Sequence, residues 1–228
     1  MMEAGAIDGG SSSTSKPAAT ARESHARRET EALWSEILAM SVEVAEALKT
    51  AVEALCDSRP ELFAKIREDE AEIDRWEVRI EQACLKALAL FDLVASDLRR
   101  VVGTIRINRE LEGLSDLAEN IARRARKLSR DPVAAPFLPK LRTLATQALD
   151  LVETSLHALR TLDSARARQI VEQDRAVNQR RLEIVEEIKQ GIREQPERVS
   201  SFLRLINSAR NLERAADHAV KIAIATMA

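Results

Sequence analysis

The sequence predicts an all-α protein: two tandem three-helix bundles arising from an internal duplication. Two observations carry that prediction. The stretch Leu111-Glu112-Gly113-Leu114-Ser115-Asp116-Leu117-Ala118-Glu119-Asn120-Ile121-Ala122 returns 101 residues later, from Leu212 to Ala223, with Leu, Glu, Asp, Ala, Ile and Ala at the same six places. Helix breakers are also scarce. Three of the six glycines fall within the first ten residues, and beyond Pro17 the prolines stand only at 60, 132, 136, 139 and 196. Ala, Leu, Glu and Arg dominate the segments between them, which is the composition of long amphipathic helices.

The opening Gly, Ser, Ala and Thr-rich residues show no periodicity, so residues 1–22 read as a disordered tail. A first bundle is expected over 23–131, a proline-rich linker over 132–139 and a second bundle over 140–228. The first helix, about 24–57, carries Leu33, Ile37, Met40, Val44, Leu48, Val52 and Leu55 at spacings of three and four, one apolar stripe. Ser58-Arg59-Pro60 ends it, with Ser58 as expected N-cap of the next helix and Pro60 in its first turn. That second helix, about 60–91, shows Leu62, Ile66, Ile73, Trp76, Ile80, Cys84, Leu88 and Phe91. A third runs over about 94–129. Three prolines within Pro132–Pro139 forbid its continuation. The fourth helix spans about 140–163, and the fifth reaches about 190, where Gly191 to Pro196 is expected to stop it. The sixth covers about 197–227.

Composition excludes several classes. Charged residues make up 32% of the chain at a net of -2, without the basic excess of a general nucleic-acid binder. Aromatics are 3%, with no Tyr, so base-stacking platforms are absent. No apolar run approaches the roughly 20 residues of a membrane span, and no signal-peptide pattern opens the chain, so a cytoplasmic location is expected. Cys56 and Cys84 fit neither a disulfide framework nor a zinc site and read as reduced, buried thiols.

The repeated motif holds the chemistry. Residues four apart lie one turn above each other on a helix, so Glu112 stacks on Asp116 and Glu213 on Asp217. Like charges so placed repel, and a cation would relieve them. The duplication extends to Glu70-Ala71-Glu72-Ile73-Asp74 and Asp174-Arg175-Ala176-Val177-Asn178, each placing oxygen-bearing side chains at the same spacing. If the faces meet, Glu70, Asp74, Glu112 and Asp116 converge in the first half, and Asp174, Asn178, Glu213 and Asp217 in the second. All-oxygen sets suit hard or borderline ions, and the expected cofactors are divalent or ferric ions of iron, manganese, magnesium or zinc. The small residues Ser115, Ala118 and Ala122, like Ala216, Ala219 and Ala223, allow close helix approach. The competing interpretation is a solvated acidic face paired with Arg109, Arg123, Arg210 or Arg214. His218, His157 and His25 are not expected to be ligands, and Trp34 and Trp76 read as core or interface.

These residues resemble the PhoU family of phosphate-signalling regulators. Its pattern runs through a D-x-x-I-N stretch, a P-x-A-x-D-L-R stretch and an L-E-R-I-G-D-x-A-x-N-I-A motif. The counterparts are Glu70 to Asp74, Ala95-Ser96-Asp97-Leu98-Arg99 and Leu111 to Ala122, then Asp174 to Asn178 and Leu212 to Ala223. The resemblance covers about residues 30–227. Gly113-Leu114-Ser115 and Arg214-Ala215-Ala216 replace the usual R-I-G, Glu70 stands for Asp, and Asp92-Leu93 for Gln-Pro. The resemblance implies a non-enzymatic homodimer with metal ions at the acidic motifs. It further implies restraint of the phosphate-starvation response through the phosphate transporter ATPase subunit and a sensor histidine kinase. Membrane association would then be peripheral, through those partners, without nucleic acid. The rival classes are a metal-independent helical scaffold, an accessory of another phosphate transporter, and a di-iron oxidase. The last normally adds Glu-x-x-His pairs, which the sequence lacks.

Overall fold

The computed structural model describes residues 16–227, with side chains from residue 24. Six helices follow one another: α1 (Lys16–Cys56), α2 (Phe63–Leu90), α3 (Ala95–Leu128), α4 (Leu138–Thr161), α5 (Ser164–Glu194) and α6 (Val199–Met227). Short 3-10 turns at Pro60–Leu62 and Pro196–Arg198 lead into α2 and α6. No strand occurs among the described residues. Helices α1, α2 and α3 pack on one another, as do α4, α5 and α6, and the halves meet through α3 against α6 and α1 against α4. One continuous hydrophobic core therefore runs through both bundles.

The apolar stripes explain the packing. In α1, every residue of the expected stripe from Leu33 to Leu55 is buried. In α2, Ile66, Ile73, Ile80 and Cys84 are buried, whereas Leu88 is exposed because the stripe rotates away from the core in the last turn. Ser115, Ala118 and Ala122 on α3, and Ala216, Ala219 and Ala223 on α6, are all fully buried, as small residues at a close helix crossing must be. Cys56 and Cys84 are free and buried, and burial pushes each thiol up to about 11.

Several local expectations change. The tail expected through residue 22 is shorter: α1 begins at Lys16, since Pro17 suits a first turn and Ala18-Ala19-Thr20-Ala21-Arg22 contains strong helix formers. The rest of that tail, residues 1–15, lies outside the described residues. Ser58 is no N-cap. Its φ of 53° is left-handed and ends α1, letting Arg59 N donate to Ala54 O. The linker spans 129–137 rather than 132–139, because Pro139 is accepted in the first turn of α4. The Asp131 carboxylate organises it, accepting from Val133 N at 3.1 Å and from the Ser201 hydroxyl.

Gly191 does not stop α5, which continues to Glu194. A Cβ there would lie 2.6 Å from Cε1 of Phe202, so this glycine makes room for an α6 ring inside the helix. The turn between α4 and α5 is where the sequence places it. Leu162 adopts φ 52°, and the Asp163 side chain caps α5 by accepting from Ala165 N and Arg166 N.

Candidate functional site

The acidic motifs of each half lie on facing helices. In the first half, Ile73 and Ile80 anchor α2, while Leu111, Leu114 and Ala118 anchor α3, and all are buried. This leaves Glu70, Asp74 and Glu77 of α2 turned toward Glu112, Asp116 and Glu119 of α3. A buried amide fixes the register: Asn108 Nδ2 donates to the Glu77 carbonyl at 2.9 Å.

Electrostatics report the convergence. Glu70 is held above the ordinary carboxylate value by burial, then by Asp74, Glu119 and Asp116. Glu112 is raised by burial, then by Asp116, Asp74 and Glu77, against a smaller pull from Arg109. Glu77 is raised by burial, Glu81 and Asp74. The four predicted residues Glu70, Asp74, Glu112 and Asp116 therefore form one anionic face, enlarged by Glu77 and Glu119. None of the four makes an ion pair among the described residues, whereas Glu119 is taken by Arg123 at 2.9 Å.

The second half has the same scaffold and different contents. Asp174 is raised by burial and by Asp217, and Asn178 Nδ2 donates to its Oδ2 at 2.8 Å. Glu213 is raised by burial, pulled down by Arg181 and raised again by Asp217 and Asp174. Asp174, Asn178, Glu213 and Asp217 thus come together as expected. Arg181 joins them, its Nε standing 3.2 Å from Glu213 Oε1 with both side chains about four-fifths buried. The N–H is not aimed along a hydrogen bond, so this contact is ionic. Asp174 Oδ1 is buried without a partner.

As placed, no three His, Cys, Asp or Glu side chains among the described residues form a group that could hold a metal ion. Ligation on either face would require side-chain rotation. The first face fits a hard cation by donor chemistry, with several carboxylates lacking counter-ions. The second fits less well, because Arg181 already answers one of its three carboxylates.

Between the halves, His218 Nδ1 donates to Glu110 Oε2 at 2.6 Å, and Lys221 Nζ lies 3.3 Å from the same oxygen. Burial pushes His218 below the ordinary imidazole value, against the pull of Glu110. Gly113 permits this contact, since a Cβ there would lie 2.4 Å from His218 Cε1. His218 is therefore a packing residue at the α3–α6 seam. His157 is exposed, and His25 is exposed with its ring edge-on to Phe91 at 5.3 Å.

Known proteins share this fold. A family model described as the PhoU domain matches residues 37–125 and again residues 141–226. The chain belongs to the PhoU family. It is 30% identical to a phosphate-specific transport system accessory protein PhoU homolog of Pseudomonas aeruginosa, over 86% of this chain and 81% of that one. Identity to the homolog of the same description from Aquifex aeolicus is also 30%, over 82% and 84%. The crystal structure of PhoU from Pseudomonas aeruginosa superposes with a TM-score of 0.84 at 29% identity, covering 88% of this chain and 96% of that chain. The phosphate transport system regulatory protein PhoU from Streptococcus pneumoniae, at 23% identity, shares the fold with a TM-score of 0.80. The two PhoU matches coincide with the two bundles. No helix among the described residues is long and apolar enough to cross a membrane.

Sequence reasoning missed Glu77 and Arg181. The signal lay in the register of α2 on α5 at an offset of 104. Ile66 and Ile170, Ile73 and Val177, Ile80 and Ile184, Cys84 and Ile188 are then equivalent, and every one is buried. At that register Glu77 falls on Arg181.

Proposed function

We propose that this PhoU-family chain is a non-enzymatic accessory protein of a phosphate transport system that restrains phosphate uptake and the phosphate-starvation response. The observation that carries this is the match of both bundles, acidic faces included, to the PhoU domain. Relatives that the chain spans for most of their length are named as phosphate-specific transport system accessory proteins. In this reading the protein is cytoplasmic and acts by contact, with the transporter ATPase subunit and a sensor histidine kinase as partners. It reaches the membrane only through them. A homodimer is the working assembly. Exposed apolar side chains, including Val78 and Leu85 on α2 and Val171 and Leu182 on α5, supply surface for such contacts.

A hard divalent or ferric ion is the cofactor proposed for the first face. Glu70, Asp74, Glu112 and Asp116 would hold it, and the ion would relieve Glu70 and Glu112, which burial and neighbouring carboxylates now keep raised. The ion's role in this account is electrostatic and structural.

The test is alkaline phosphatase activity in high phosphate, in the source bacterium with and without the gene. High activity only in the deletion, restored by the intact gene, is expected. Equal activity in both strains would contradict the regulatory role and favour service to another phosphate transporter.

A further inference from the structure

The two acidic faces are built on equivalent helices, so a difference between them is a difference of individual residues. Aligned through their four buried pairs, α2 and α5 differ in charge sign at one position facing the acids: Glu77 in the first half, Arg181 in the second. Glu77 adds to the repulsion on Glu112. Arg181 instead reaches Glu213 at 3.2 Å, with 21% of its side chain exposed and 17% of its partner's. A guanidinium is charged at every relevant pH and is a good counter-ion for a half-buried carboxylate. Position 178 drops a further charge, being Asn where the first half has Asp74. Asp174 and Asp217 are then the only carboxylates of the predicted second-half set without an ion pair among the described residues. The first half keeps Glu70, Asp74, Glu77, Glu112 and Asp116 in that condition. Affinity for a hard cation rises with the number of charged oxygen ligands.

We infer that Arg181 is a built-in counter-ion replacing a bound metal in the second half, so that cation binding is confined to the first face. The inference rests on the cation reading of the first face and departs from the two equivalent sites that the duplication alone implies. Arg181 fixes Glu213 and withdraws it as a ligand. The unpartnered Asp174 Oδ1 remains as an acceptor beside Asp217, one step short of a site. Removing the guanidinium would free Glu213, and placing Glu there would restore the ligand type found at 77.

Manganese binding to the chelator-stripped full chain tests this, read by calorimetry and by metal analysis after desalting. Wild type is expected to lose its Mn²⁺ with Glu112→Gln/Asp116→Asn and to keep it with Glu213→Gln/Asp217→Asn. Arg181→Glu is expected to double the bound Mn²⁺, and Asp217→Asn in that background to remove the gain. Arg181→Gln, a gentler change checked by circular dichroism, should gain a weaker second site. Loss of half the Mn²⁺ in Glu213→Gln/Asp217→Asn would overturn the inference. So would unchanged capacity in both folded Arg181 variants. Wild type that binds no Mn²⁺ would instead overturn the first-face reading, an outcome distinct from binding at both faces.

Discussion

The two halves share a fold and differ in how they answer their own charge. On the first face, Glu70, Glu77 and Glu112 are raised by burial and then by neighbouring carboxylates, Asp74 among them in each case, with Arg109 a minor relief at Glu77 and Glu112. On the second, Arg181 is the largest influence on Glu213 after burial, and Asn178 hydrogen-bonds Asp174. The buried residues that set helix register are apolar in both halves, because each lies in a closely packed core. The partly buried positions between them are free to change sign. Duplication thus preserves the scaffold, while one position sets whether a face gathers a further carboxylate or carries its own arginine.

The comparison breaks most visibly at Arg181. Arg181→Glu makes the faces alike and, in chelator, should cost about 2 kcal/mol in urea unfolding, less than the roughly 3–5 kcal/mol of breaking a fully buried ion pair because both side chains keep some contact with solvent. Added Mn²⁺ should return part of that loss.

The seam between the halves is sharpened by Gly113. Gly113→Ala gains roughly 1 kcal/mol of helix propensity but drives a methyl into the His218 ring. Overpacking of this kind costs about 1–3 kcal/mol, so the net change should be destabilising. In a His218→Ala background the same substitution should become stabilising by about 1 kcal/mol. A double-mutant cycle in denaturant measures both.

A smaller effect concerns pH. The folded value of Glu112 lies above its ordinary 4.5, so between the two the folded protein binds more protons than the unfolded chain. Its penalty is fully present above the raised value and gone below 4.5. In chelator at pH 7, Glu112→Gln should melt about 1–2 °C above wild type. That gap should close as the pH falls toward the ordinary carboxylate range. A gap that widened on acidification would reverse the sign assigned to the first face.

Much of this was legible in the sequence, for identifiable reasons. The stripe from Leu33 to Leu55 and the repeated dodecamer each follow one period, so helices and duplication could be read directly. The seven acids and one amide face each other within their halves because burial of Ile73, Val177, Leu111 and Leu212 aims them there. What escaped depends on contacts between distant residues. Gly191 reads as a breaker until Phe202 is seen above it. Ser58 reads as a cap until its left-handed backbone appears. Arg181 is one charge among many on α5, and only alignment with α2 through buried positions gives it a counterpart. Gly and Ser near residue 10 make the Ala-rich stretch after Pro17 read as tail, although it is the first part of α1.

The central claim is that equivalent positions 77 and 181 act with opposite sign on their faces. Unfolding free energies of Glu77→Gln and Arg181→Gln, measured side by side in chelator, test it most directly. The account predicts that Glu77→Gln stabilises, by about 0.5 kcal/mol as expected for relief of like charges, while Arg181→Gln destabilises. Changes of the same sign at both positions would contradict it.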